Sequence, residues 1–104
     1  EAKQSDALKN ATNAADLAPN NPEILDTLGM AQAQAGKQAE AILTLRTAVN
    51  LAPNMPATKL HLAELQIAAG NRTEAATLIK SMDRKQLSAK EQETLTQLTG
   101  KLGG

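Results

Sequence analysis

Leu17-Ala18-Pro19-Asn20-Asn21-Pro22 returns as Leu51-Ala52-Pro53-Asn54-Met55-Pro56, at an offset of 34 residues. The same offset carries Ala7 onto Ala41, Ala14 onto Ala48, Leu28 onto Leu62, Ala35 onto Ala69, Gly36 onto Gly70, Glu40 onto Glu74 and Ala41 onto Ala75. One register kept by so many small and turn-forming residues marks an internal repeat. Periods of this size belong to stacked supersecondary units, each covering apolar surface that its neighbour cannot bury alone.

Each unit reads as two antiparallel helices joined by a tight turn. In residues 22 to 52, Asn21 is placed to cap a helix and Pro22 sits at its first position, where a missing N–H costs nothing; Glu23 and Asp26 complement the positive helix start. Leu25, Leu28, Ala31, Gln32 and Ala35 then mark one face at helical spacing. Gly36 ends the helix by supplying a left-handed residue. A second helix runs from about Gln38 to Leu51 with Ala41, Leu45, Ala48 and Ala52 on its inner face, until Pro53 stops it. Residues 56 to 83 repeat the plan, with Pro56 opening, Gly70 closing and a partner helix from Thr73 to about Met82, although Leu87 stands where a further Pro is due. Residues 3 to 17 have the pattern of a second helix of a partial repeat. Ser88-Ala89-Lys90-Glu91 forms a capping box for a last helix over 88–102, whose stripe of Leu95, Leu98 and Leu102 makes it a cap on the preceding unit. The expectation is one all-α domain over residues 1 to 102, with six helices.

Composition agrees with this reading. Hydrophobic residues make up 41% of the 104-residue chain, yet Phe, Trp and Tyr are absent, so the core is assembled from Ala, Leu, Ile, Val and Met between closely approaching helices. Gly29 sharpens the point: glycine inside a helix costs about 1 kcal/mol relative to alanine, so its presence predicts a helix pressed against it. Eleven basic and eleven acidic residues cancel, which leaves no long-range field to gather nucleic acid or an anionic membrane, and no apolar run approaches a membrane span. Nucleic-acid binding and membrane insertion by this segment are therefore not expected. The absence of cysteine excludes a disulfide framework but fits cytoplasm, periplasm or exterior, so localisation stays open; a targeting segment, if the protein has one, lies upstream of Glu1.

These residues resemble the tetratricopeptide repeat, whose pattern sets Trp, Leu-Gly, Tyr, Ala, Phe and Pro along each unit. Leu28-Gly29, Ala41, Ala48 and Pro53 match its Leu-Gly, both Ala and Pro, while Leu25, Gln32 and Leu45 replace the aromatics; the next unit keeps Leu62, Gly70 and Ala75 but carries Lys59, Ala63, Gln66, Ile79 and Met82. The resemblance implies a right-handed superhelical stack, or α-solenoid, of antiparallel helix pairs that binds a peptide or a partner's helix in a concave groove lined by the first helices. Carried over by position, that groove comprises Glu23, Asp26, Met30, Ala33 and Gln34 from one unit and Ala57, Leu60, Glu64, Ile67 and Ala68 from the next. Met30, Leu60 and Ile67 are expected to form an apolar floor, Glu23, Asp26 and Glu64 a carboxylate rim, and Thr44 and Thr77 to lie on the outer helices. Such a surface suits a protein or peptide ligand with apolar and basic side chains. The family's carboxylate-clamp subgroup, which grips chaperone tails, places Lys, Arg and Asn along the groove, whereas Thr27 and His61 stand at two of those positions here. The Leu-Ala-Pro-Asn strings are also similar to those of bacterial repeat lipoproteins found with exopolysaccharide and PEP-CTERM export systems.

Catalysis needs converging groups, and the sequence offers few. His61 is the only histidine, without a His-x-x-x-His pair, a cysteine or a Gly-rich phosphate loop, so an ordinary half-exposed histidine is the favoured reading. Ser5, Ser81 and Ser88 lack a nucleophile context, and Lys80, Arg84 and Lys85 read as cations complementing a helix C-terminus. No enzyme activity, cofactor or metal is expected. The alternative to a binding module is a structural or self-associating segment of a longer array, which forms a homo-oligomer through the face of helix 3 to 17 that carries Leu8, Ala11 and Ala15.

Overall fold

The computed structural model describes residues 2 to 103, with side chains from residue 6 onward. It contains α1 (Ala2–Leu17), α2 (Pro22–Gln34), α3 (Gln38–Leu51), α4 (Pro56–Ala68), α5 (Arg72–Lys80) and α6 (Ala89–Lys101), with a 3₁₀ turn at Arg84–Gln86 and no strand among the described residues. The chain divides into two compact units, Glu1–Asn54 and Met55–Gly104.

In the first unit α1, α2 and α3 follow one another through short turns. Asn21 starts α2 as its position foretells, its Oδ1 accepting from the N–H groups of Glu23 (3.0 Å) and Ile24 (3.2 Å). Gly36, with φ +83°, ends α2 in a Schellman turn: the Lys37 N–H donates to the Gln32 carbonyl (2.9 Å) and the Gly36 N–H to that of Ala33 (3.0 Å). The turn folds α3 back so that Gly29 meets Leu45 and Gln32 meets Thr44. A Cβ placed on Gly29 would lie 2.7 Å from Leu45 Cγ and 3.5 Å from the Ala41 carbonyl oxygen. That close crossing explains the glycine, and Ala41, Leu45 and Ala48 are fully buried along it. On the other side of α2, Ala11 and Ala15 of α1 form a core with Leu25, Leu28, Ala31 and Ala48, against which Leu8 and Ile24 pack. Thr44, on the second helix of the unit, turns its hydroxyl toward α2, donating to Gln32 Oε1 at 2.7 Å, and is half-buried.

The second unit repeats the hairpin with changes. Met55 holds the backbone that Asn21 has but gives no side-chain cap to α4. Gly70, with φ +86°, forms the same Schellman turn, the Asn71 N–H reaching the Gln66 carbonyl at 2.7 Å. Helix α5 stops at Lys80 rather than near Met82: the Met82 N–H reaches back only to the Ile79 carbonyl (3.1 Å), the Ser81 hydroxyl donates to the Leu78 carbonyl (2.6 Å), and Asp83 then caps the 3₁₀ turn by accepting from the Lys85 N–H (3.0 Å). The capping box forms as its residues predict, with Glu91 N–H to Ser88 Oγ at 3.1 Å and Ser88 N–H to Glu91 Oε1 at 2.9 Å. It launches α6 so that Leu95 and Leu98 join Leu60, Ala63 and Leu87 in one core. Fully burying a leucine stabilises by about 2 kcal/mol, so α6 is held chiefly by these two side chains. Arg72 adds a hydrogen bond from its guanidinium to the Lys101 carbonyl (3.2 Å), tying the start of α5 to the end of α6.

Candidate functional site

Along α2 the candidate positions alternate with core positions. Leu25, Leu28, Gly29 and Ala31 are buried, whereas Glu23 and Gln34 are exposed and Asp26, Met30 and Ala33 are half-exposed. The helix spends one stripe on the core and leaves a second at the surface, with Met30 one turn beyond Asp26 and two turns beyond Glu23. Thr27, close to that stripe, donates its hydroxyl to the Glu23 carbonyl at 3.2 Å.

On α4 the outcome differs. Ala57, Glu64 and Ala68 are exposed, but Leu60 is only 5% exposed and belongs to the core beneath α6, with Ile67 half-buried against the same cluster. Leu60 is therefore not offered to a ligand. Register alone could not show this, because a first-helix position faces solvent or a following helix depending on what comes next, and here α6 comes next. Lys59, which stands at the family's Trp position, is half-buried and donates from Nζ to Ser81 Oγ at 3.4 Å, so it ties α4 to the end of α5. Thr77 lies on the exposed side of α5, its hydroxyl bonded to the Thr73 carbonyl at 3.0 Å.

Among the described residues no group of three or more His, Asp or Glu is arranged to hold a metal ion, and no helix is long and apolar enough to cross a membrane. Both first helices leave polar and small side chains exposed, α2 with a side-chain cap from Asn21 and α4 without one.

A sequence model described as "Tetratricopeptide repeat" matches residues 33–97, more than half of the chain. Among solved structures, the TPR2B domain of yeast Sti1, determined in its pHsp70 complex, is similar with a TM-score of 0.87 and 21% identity, over 98% of this chain and 84% of that one. At that identity the likeness shows the fold: an all-helical tetratricopeptide-type stack. No curated protein sequence matches.

Proposed function

Since the chain belongs to the tetratricopeptide-repeat family, we propose that it is a non-catalytic protein-interaction module that takes a peptide or a partner's helix on the exposed faces of its first helices. The observation that carries this reading is the second stripe of α2, where Glu23, Asp26, Met30, Ala33 and Gln34 remain accessible while the residues between them are spent on the core. Glu64 and Ala68 give α4 a smaller face of the same character. A ligand with an aliphatic side chain for Met30 and basic side chains for the carboxylates fits best. A ligand of the pHsp70 kind is disfavoured, because Thr27 and His61 stand where the clamp subgroup of the family carries cations and amides.

The test uses a peptide selected from a random library on the immobilised chain. Met30→Ala should weaken it by about tenfold, as truncation of a central apolar contact does. Glu64→Lys should weaken a basic ligand several-fold at low salt and less at high salt, in keeping with an exposed rim charge. Affinity unmoved by both variants would overturn the proposed faces.

A second reading, self-association or packing within a longer array, is favoured by α1, though not by the face expected for it, since Ala11 and Ala15 are buried against α2 with Leu8 packed beside them. Leu17 is 88% exposed, and Ala7 is exposed although its repeat equivalent Ala41 is fully buried. An apparent mass that rises with concentration in size exclusion would support it, and a constant monomer mass would remove it. The setting in keeping with either reading is a bacterial export-associated repeat protein of the kind that the Leu-Ala-Pro-Asn strings resemble.

A further inference from the structure

We infer that α5 is a built-in loose element, which opens locally from the second unit while α4 and α6 stay folded, and that the buried carboxamide of Gln66 is what loosens it. Gln32 and Gln66 are repeat equivalents, yet they fare differently. Gln32 Oε1 accepts from Thr44 Oγ1 at 2.7 Å. One repeat later Thr44 is replaced by Leu78, which has no hydrogen to donate. Gln66 is 3% exposed, and its Oε1 makes no hydrogen bond. A buried carbonyl in that condition loses the water it had in the unfolded chain and gains nothing in return. Opening the seam lets water reach it and so favours the open form.

The two second helices are unequal in a further, independent way. Helix α3 has 14 residues and buries Ala41, Ile42, Leu45 and Ala48, whereas α5 has nine and buries only Ala75. Leu78 and Ile79 are only partly buried against the core of the unit. Nine residues are too few for a helix to persist without packing. Leu60, Ala63, Leu87, Leu95 and Leu98 join α4 and α6 in a core to which α5 adds only the partly buried Leu78 and Ile79. Opening α5 gives up these contacts, the burial of Ala75 and the exposed hydrogen bonds Arg72–Lys101 and Lys59–Ser81. The second unit thus has a firm pair and a detachable edge, the sort of low-stability segment at which local unfolding acts.

Native-state hydrogen exchange of the whole chain, expressed as protection factors, tests this. The α5 amides should be at least about tenfold less protected than those of α3 and α6. Gln66→Met, which fills the same volume without the carbonyl, should raise α5 protection by about tenfold and leave α3 where it was. Gln32→Met should do the reverse, lowering α3 protection, since Thr44 loses its acceptor. Equal protection of α5 and α3 in the unaltered protein would overturn the inference, whatever the variants do. So would a Gln66→Met protein in which α5 exchanges as before or faster.

Discussion

At the scale of single residues, the molecule turns on side chains that are small because something lies against them. Gly29→Ala illustrates the balance. Alanine gains about 1 kcal/mol of helix propensity, but its Cβ would fall 2.7 Å from Cγ of the fully buried Leu45, which must shift to admit it. Overpacking of that kind costs about 1–3 kcal/mol, so the variant should be destabilised by up to about 2 kcal/mol in urea unfolding despite its better propensity. A stability gain would mean that Leu45 yields. Ala41→Leu should likewise cost about 1–3 kcal/mol, whereas Gln38→Leu, on an exposed position of the same helix, should change stability by less than about 0.5 kcal/mol. Gly29 was legible beforehand because a glycine inside a helix needs a physical reason. Thr44 and Leu60 were not. Threonine carries both a methyl and a hydroxyl, so its inward turn depends on the glutamine that faces it, and a leucine in a first helix is floor or core according to what packs next.

At the scale of elements, the repeated turns show which local signals decide helix ends. Asn21, Pro22 and Gly36 do what their chemistry implies, as does the Ser88–Glu91 box. The end of α5 falls two residues before the end of its apolar spacing at Met82, where the Ser81 hydroxyl bonds the Leu78 carbonyl. The unmatched start of α4 gives a direct test. Met55 has φ −100° and ψ 97°, close to the −95° and 110° of Asn21, so the backbone is already that of a cap. Asn21→Ala should cost about 1 kcal/mol, and Met55→Asn should stabilise by about 0.5–1 kcal/mol as it supplies the missing acceptor. Thermal melts of the two variants should move in opposite directions. A fall for Met55→Asn would mean that the apolar contacts of the half-buried methionine outweigh the cap.

At the scale of the whole molecule, the repeat offset made the fold plain, because an error of one residue in a helical repeat would scatter Ala41, Ala48, Gly36 and their equivalents over different faces. The part played by α6 is equally physical: Leu95 and Leu98 complete the core of the second unit. Deleting residues 88 to 104 should expose Leu60, Ala63 and Leu87, lower the melting temperature and promote aggregation. An unchanged, monomeric truncation would show that α6 contributes little. The binding faces were legible only as positions, since a single sequence carries no trace of the ligand that selected them. The most direct test of the account is a chemical-shift titration of the whole chain with a selected basic, aliphatic peptide. Binding through the first helices predicts shifts at Glu23, Met30, Gln34, Glu64 and Ala68, with Thr77 on the exposed side of α5 silent. Shifts centred on Thr77, with Met30 and Glu64 unmoved, would contradict it.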